Sequence, residues 1–256
     1  MPRFPFHAAL PLAAACAILL TATAKAETPT ACTTPAQLGA TGAAMGASWP
    51  LLLDQTLTVV AVGSSSTEGI GASSPASTYP AQLERLLTAR FPAVRISVIN
   101  SGIGGESAAQ NLARFDRDVL AHRPKLVIWQ VGTNDVFQKI APDSFKATIR
   151  EGVARLRAAG ADTLLMEPQY FPDETKHSGF LPMLQAVREV GAELGAPVLR
   201  RHDIMQHWVE SRQLTVEAML SPDGLHMTDA SYRCLATVVA DVIGQPDQST
   251  LRVSGR

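Results

Sequence analysis

The amino-acid sequence predicts an α/β fold in which a parallel sheet has helices on both faces. Short apolar runs alternate along the chain with longer segments of helical periodicity. The apolar runs are continuous and do not alternate with polar residues, which is typical of strands buried on both faces. Strands that alternate with helices connect through right-handed crossovers, and these crossovers place helices on both sides of the sheet.

Five segments are predicted as strands. The first reads Leu-Thr-Val-Val-Ala-Val and stops at Gly63. The next three have the same short, apolar character, and the fifth is shorter and begins at Pro197. In chain order the predicted strands are 57–62, 94–99, 125–131, 163–166 and 197–199.

Between the strands, apolar residues spaced three or four positions apart predict amphipathic helices. The first of these has Leu83, Leu86 and Leu87 on one face and charged residues on the other. Two later helices end at a glycine, Gly160 and Gly195, as many helices do. In chain order the predicted helices are 79–90, 107–122, 143–159, 179–194 and 230–243.

The composition of the 256-residue chain is that of a globular protein. Hydrophobic residues make up 46% of it and charged residues 18%, which excludes a disordered chain and is enough for a buried core. The formal net charge is -1, so we expect no nucleic-acid partner and no electrostatic adhesion to an anionic membrane.

The N-terminal segment, residues 1–26, predicts an export signal. Arg3 gives it a positive start, an apolar stretch follows, and Ala24-Lys25-Ala26 has the small-x-small pattern of a cleavage site. We therefore expect a periplasmic or secreted protein without stable membrane insertion after cleavage. A retained anchor is one alternative, and a lipid on Cys16 is a weaker one, because Ala13 stands where a larger aliphatic residue is usual.

The rest of the chain is predicted to form one folded unit with two irregular ends. Residues 27–50 indicate an irregular arm, 51–244 a single domain and 245–256 a polar tail. Cleavage after the export signal would leave two cysteines, Cys32 and Cys234. In an exported chain they form either one disulfide or two free thiols, and the sequence leaves both open.

Four loops carry polar residues that are suited to chemistry. In open parallel sheets, ligands bind at the carboxyl ends of the strands, so the loops after the strands are where a site is expected. The first three strands are followed by segments 63–69 (GSSSTEG), 100–106 (NSGIGGE) and 132–135 (GTND), and segment 223–226 (DGLH) precedes the last helix. None has the spacing of a phosphate loop or a dinucleotide fingerprint, and a serine-rich turn alone is more often a helix cap.

Together these loops hold what nucleophilic attack on an acyl carbon requires. That chemistry needs a hydroxyl, a base to take its proton, a group that orients the base, and hydrogen-bond donors for the oxyanion. A carboxylate at Asp223 can accept from Nδ1 of His226 and leave Nε2 facing a serine.

The four segments resemble the blocks of the SGNH hydrolase (GDSL esterase/lipase) superfamily, which contribute Ser, Gly, Asn and His in that order. The resemblance spans about residues 57 to 243. It implies a flavodoxin-like, three-layer α/β/α fold with a parallel five-stranded sheet, hydrolysis of carboxylic esters, and no cofactor.

By position, the resemblance also implies roles for individual residues. Ser65 corresponds to the nucleophile, and Asp223 and His226 to the rest of a catalytic triad. The Ser65 and Gly105 amides and the Asn134 side chain correspond to the oxyanion hole. Ser64 replaces the aspartate that is usual in the first block, and Ser64 and Ser66 are expected to point away from the site.

Segment 169–177, which follows the fourth strand, is predicted to face the substrate. Tyr170 and Phe171 would line an acyl or sugar pocket, although Phe171 could instead only pack the loop down. Asp135 is expected to be a helix cap or a hydrogen-bond anchor. No His-x-x-x-His or Cys-x-x-Cys pair occurs, so no metal site is predicted.

The function predicted from these observations is that of an exported serine esterase acting on short acyl or acetyl esters, including esters on carbohydrate. A lysophospholipase or thioesterase is one alternative. An acyltransferase that uses the same triad is another, and a binding module with an inactive site is disfavoured by the complete set of residues. The sequence does not predict an oligomeric state.

Overall fold

The computed structural model describes residues 32–35, 38 and 56–244. The predicted export signal, most of the predicted arm and the polar tail lie outside the described residues. Within the described part, five parallel strands form one sheet in the order β2-β1-β3-β4-β5, which confirms the predicted fold class. The strands are β1 (Thr56–Gly63), β2 (Arg95–Gly102), β3 (Leu126–Gln130), β4 (Asp162–Met166) and β5 (Val198–Leu199).

Two groups of helices cover the sheet. One group packs α2 (Tyr79–Arg90) against α10 (Asp229–Gly244). The other packs α6 (Pro142–Ala158) against α3 (Ala108–Ala113) and α7 (Phe180–Leu194). Every residue of β3 is buried, as expected for a central strand that is covered on both faces. The α-helices are α1 (Ser65–Glu68), α2 (Tyr79–Arg90), α3 (Ala108–Ala113), α4 (Phe115–Asp118), α5 (Thr133–Phe137), α6 (Pro142–Ala158), α7 (Phe180–Leu194), α8 (Arg201–Glu210), α9 (Val216–Met219) and α10 (Asp229–Gly244), with short 3₁₀ turns at Pro75–Ser77, Leu120–His122 and Glu174–Lys176.

The strand order determines where a ligand site is expected. The chain runs from β1 outward to β2 and then returns to place β3 on the other side of β1, so the topology reverses between β1 and β3. A crevice forms outside the carboxyl ends of the strands at such a reversal. The serine-rich turn follows β1 and the Gly-Thr-Asn-Asp segment follows β3, so the two segments flank this crevice.

The predicted helix 107–122 is wrong as a single element. The chain forms α3 and α4 and then a 3₁₀ turn, with a break at Arg114, whose φ is -110°. The Arg114 guanidinium donates to the backbone carbonyl of Ser101 at 2.7 Å and pairs with Glu106 at 2.7 Å. This buried side chain ties the segment to the end of β2 at the point where the helix is interrupted.

Helix α8 was not predicted. Its apolar residues Ile204, Met205 and Trp208 are fully buried, but the helix opens with Arg201 and His202, which are also buried. Two polar residues facing inward conceal the amphipathic pattern on which a sequence prediction depends.

Cys32 and Cys234 form a disulfide whose Cα atoms lie 5.1 Å apart. The bond joins the N-terminal arm to α10 across 202 positions of the sequence. Of the two states that the sequence left open, the structure has the bridged one. Among the described residues, no helix combines the length and apolar character needed to cross a bilayer.

Candidate active site

The serine turn, Ser64–Ser66, lies where β1 passes into α1, and only one of its three serines is not buried. Ser64 is buried, and both its backbone N–H and its hydroxyl donate to Oε1 of Gln130, at 2.8 and 3.0 Å. Ser66 is 1% exposed, and its hydroxyl accepts from Arg201 at 2.9 Å. Ser65 is only half-buried. The hydroxyl of Ser65 is therefore the one that a substrate could approach.

The end of β2 lies against the backbone of α1. A Cβ atom on Gly102 would come within 2.0 Å of the backbone nitrogen of Glu68, so only glycine allows this approach. The carboxylate of Glu68 in turn accepts from the backbone N–H of Gly104 at 2.7 Å. A Cβ on Gly104 would be 3.8 Å from that of Ser65, so the loop after β2 runs directly beside the outward-facing serine.

The next residue of this loop after Gly104 is Gly105. Its φ of +80° lies in the left-handed region that favours glycine. Its carbonyl accepts from Nε2 of Gln138 at 2.9 Å, which holds the peptide in place. Within residues 56–244 its N–H makes no hydrogen bond, so this donor is available to a ligand.

Asn134 joins the loop after β3 to the loop after β2. Its Nδ2 donates to the backbone carbonyl of Glu106 at 3.0 Å, next to Gly105. A carboxamide has two N–H groups, so one remains for a ligand. The neighbouring Asp135 is 2% exposed and accepts from the backbone N–H groups of Ala108 and Gly132. Burial raises the pKa of Asp135, although these hydrogen bonds oppose the shift, and the residue anchors the loop.

Asp223 and His226 form a tight pair in one loop. Oδ2 of Asp223 lies 2.5 Å from Nδ1 of His226, while Oδ1 accepts from the backbone N–H groups of Leu225 and His226, both at 2.9 Å. Partial burial by itself would raise the pKa of Asp223, but these hydrogen bonds outweigh it and hold the pKa well below its usual range. The carboxylate therefore stays charged, and its contact with Nδ1 leaves Nε2 without a hydrogen-bond partner among the described residues.

The loop that carries His226 lies at the same edge as the serine turn. A Cβ on Gly71 would be 3.3 Å from that of His226. Gly71 directly follows Ile70, whose N–H donates to the carbonyl of Ser65 at 2.9 Å. The hydroxyl of Tyr232, in α10, donates to the carbonyl of Ile70 at 2.7 Å and fixes this connection. The serine turn and the loop that carries His226 are thus joined through Ile70 and Gly71.

The two aromatic residues predicted to face the substrate are placed differently from each other. Phe171 is 3% exposed, and its ring packs edge-on against Phe180 with centroids 5.3 Å apart. Of the two readings that the sequence left open for Phe171, this burial favours the one in which it packs the loop down. Tyr170 is half-buried and stands edge-on to His202, at 5.8 Å between centroids.

His202 holds the same loop to α8. Its Nε2 lies 2.9 Å from Glu174 and its Nδ1 lies 3.0 Å from Asp203. Burial by itself would lower the pKa of His202, but the two carboxylates outweigh it and raise the pKa. Sequence reasoning gave no role in the site to the adjacent Arg201, and it predicted Gln169 only as the first residue of the substrate-facing segment 169–177. Arg201 hydrogen-bonds to both Ser66 and Gln169.

A metal centre finds no support in the described residues. Within 56–244 and the short described part of the arm, no group of three or more His, Cys, Asp or Glu side chains is arranged to hold an ion. The arrangement itself, a reachable hydroxyl with a carboxylate-oriented imidazole at the same edge and free amide donors, is suited to acyl transfer.

Comparison with known proteins points in the same direction. The sequence model of the Non-GDSL lipase-like family matches residues 31–247. An acetylxylan esterase of Geobacillus stearothermophilus is 26% identical over 179 residues, which is 65% of this chain and 80% of that protein. An arylesterase of Vibrio mimicus is 26% identical over 57% of this chain and 68% of its own length. Thioesterase 1/protease 1/lysophospholipase L1 of Escherichia coli is 33% identical, but over only 28% of this chain and 35% of that protein.

Solved structures share the fold. The acetylxylan esterase Axe2 from Geobacillus stearothermophilus has a TM-score of 0.62 at 24% identity, covering 74% of this chain and 95% of that one. A two-domain esterase active on acetylated mannans has a TM-score of 0.63 at 20% identity, covering 79% of this chain and 54% of that one.

Proposed function

This chain belongs to the Non-GDSL lipase-like family and is a carboxylic ester hydrolase, and from that premise we propose that it is an exported serine esterase of short acyl esters. The serine mechanism is supported chiefly by one observation, which is that the turn holding the reachable Ser65 is joined through Ile70 and Gly71 to the loop holding the hydrogen-bonded Asp223–His226 pair. We include acetyl groups on carbohydrate among the substrates, because a relative that is matched over 80% of its own length is an acetylxylan esterase.

In the proposed mechanism, the Ser65 hydroxyl attacks the ester carbonyl while Nε2 of His226 takes its proton. Asp223 holds the imidazole and balances the charge that forms on it. The amides of Ser65 and Gly105 and the free N–H of Asn134 donate to the oxyanion. His226 then gives the proton to the departing alcohol, which leaves an acyl-enzyme. Water, activated by the same imidazole, attacks this acyl group and releases the acid and free Ser65.

A second candidate, hydrolysis of longer acyl esters as by a lysophospholipase or thioesterase, is favoured by apolar surface beside Ser65. Ile70 is 43% exposed and Ile103 is 41% exposed. The Ile70 N–H donates to the carbonyl of Ser65, and that of Ile103 to the carbonyl of Gly63, so both isoleucines belong to segments that are hydrogen-bonded to the serine turn. Such a surface would bind an acyl chain of several carbons.

Two observations support export. The N-terminal sequence has the charge, apolar stretch and small-x-small pattern of a cleavable signal. The Cys32–Cys234 disulfide is of a kind that persists in the periplasm or outside the cell and is rare in a reducing cytosol.

A substrate series distinguishes the candidates. Turnover of p-nitrophenyl acetate, butyrate and decanoate should be highest for the acetate, and acetylated xylo-oligosaccharides should release free acetate. A maximum at decanoate would favour the second candidate. A product that forms only when a sugar acceptor is present would instead indicate an acyltransferase, and no turnover of any ester would refute the proposed function.

A further inference from the structure

Arg201 is a fully buried cation beneath the proposed active site. It opens helix α8, and its side chain has 0% exposure. Its three guanidinium nitrogens donate to three separate acceptors. Nη1 contacts the hydroxyl of Ser66 at 2.9 Å, Nε contacts the carbonyl of Glu167 at 2.8 Å, and Nη2 contacts Oε1 of Gln169 at 2.8 Å. One side chain therefore joins the serine turn after β1 to the loop after β4.

Gln169 extends this connection to the segment after β3, residues 132–135, and to the segment before α10, residues 223–226. It is 1% exposed, and its Oε1 also accepts from the hydroxyl of Thr133, next to Asn134, at 3.1 Å. Its Nε2 points to the backbone carbonyl of Leu225, next to His226, at 3.5 Å. The Arg201–Gln169 pair thus hydrogen-bonds to the immediate neighbours of Ser65, Asn134 and His226, and among the described residues it makes no hydrogen bond to the side chains of these three.

Burial of the charged guanidinium of Arg201 costs free energy, so apolar packing alone does not account for its position. Among the described residues Arg201 makes no ion pair, because the nearby carboxylate of Glu167 is paired with Arg188. Burial lowers the pKa of Arg201 to about 10, which still leaves it charged near neutral pH. A buried charge without a counter-ion destabilises a fold unless its hydrogen bonds are nearly complete.

We propose that Arg201 and Gln169 are positioning residues that set the relative placement of Ser65, Asn134 and His226. This inference rests on the proposed function. Rigid hydrogen bonds from a planar guanidinium fix direction as well as distance, which a flexible ammonium does not. Reaction rates are sensitive to such placement, because a misplacement of about 1 Å costs roughly 100-fold.

The test compares two arginine-to-lysine variants of the full mature chain. Arg201→Lys keeps the charge and loses the three-way contact. The matched control, Arg155→Lys, disturbs a part-buried arginine whose partners, Asp116 and the carbonyl of Leu112, lie outside the loops that carry the proposed catalytic residues. We expect Arg201→Lys to lower kcat by roughly 10- to 100-fold with KM within about threefold, while Arg155→Lys lowers the thermal midpoint and leaves kcat within about twofold.

Gln169→Met provides a second variant if Arg201→Lys does not fold. It leaves two of the three Arg201 contacts in place, removes the links to Thr133 and Leu225, and carries the same expectation of a lowered kcat. A kcat within twofold of wild type in folded Arg201→Lys or Gln169→Met would overturn the positioning role. A failure of the proposed function would give a different result. The wild-type protein itself would then neither hydrolyse esters nor be labelled at Ser65 by a fluorophosphonate.

Discussion

Asp223 uses its two carboxylate oxygens for different purposes. Oδ2 lies 2.5 Å from Nδ1 of His226, and Oδ1 accepts two backbone N–H groups of the same loop, each at 2.9 Å. The group that would orient the imidazole is thus also the group that shapes the loop carrying it. Replacement of one oxygen can separate these two purposes.

Asp223→Asn should leave the loop folded and remove most of the activity. Its Oδ1 can still accept from the two backbone amides, but its Nδ2 cannot accept from the imidazole, so the ring is no longer held as a base. We expect kcat to fall by roughly 10³- to 10⁴-fold. Steady-state kinetics measure the loss, and an unchanged circular dichroism spectrum confirms the fold. A variant with more than a tenth of the wild-type kcat would contradict the assignment.

Asn134→Ala tests the oxyanion hole. Removal of one preorganised donor costs roughly 100- to 1000-fold in kcat. The hydrogen bond from Asn134 to Glu106 is also lost, but it lies in a half-buried loop, so we expect only a small change in thermal midpoint. Gln185→Ala removes a carboxamide from the exposed side of α7 and should leave kcat unchanged. Equal activity in the two variants would exclude a role for Asn134.

The pH dependence of stability should contain a contribution from His202. Its pKa in the folded protein is raised above the ordinary 6.5 by Asp203 and Glu174, against the effect of burial. Folding therefore favours the protonated form of His202. The resulting stabilisation is complete below the ordinary pKa of histidine and is lost as the pH rises through the pKa of His202 in the folded protein. Urea unfolding at about pH 6 and about pH 9 should show this loss in wild type.

His202→Gln should remove that part of the pH dependence, while His207→Gln, on the same helix, should retain it. If the wild type and His202→Gln lost the same stability between the two pH values, the His202 contribution would be absent.

The disulfide should account for a substantial part of the stability of the mature chain. Its removal in Cys32→Ser releases a long loop in the unfolded state, and we expect a loss of roughly 2 to 5 kcal/mol in the free energy of unfolding. The denatured, unreduced mature protein should show no free thiol. One thiol would indicate that Cys16 is retained, and two or more in a chain cleaved after Ala26 would refute the bridge.

The fold was predictable because its signals are local. The boundaries of α2 match the predicted 79–90, and all five predicted strands are present. The resemblance to SGNH hydrolases is likewise confirmed by the family match and by esterase relatives. The break at Arg114 and the helix that begins at Arg201 escaped prediction, because each involves a buried arginine whose partners lie on other elements of the fold.

The site was predictable only in outline. Parallel topology places the loops after β1 and β3 at one edge, so the sequence could predict that Ser65 and Asn134 are neighbours. It could not show that Phe171 faces the core, because burial of an aromatic residue in a loop depends on tertiary packing. For the same reason, the sequence left open whether Cys32 and Cys234 come within bonding range.

The most direct test of the serine mechanism is to locate the residue that an organophosphate modifies. Wild-type protein is treated with a fluorophosphonate, and the modified peptide is sequenced by mass spectrometry. The account predicts one adduct, on Ser65, which is absent from Ser65→Ala and retained in Ser64→Ala. An adduct on Ser64 or Ser66, or undiminished labelling of Ser65→Ala, would contradict it.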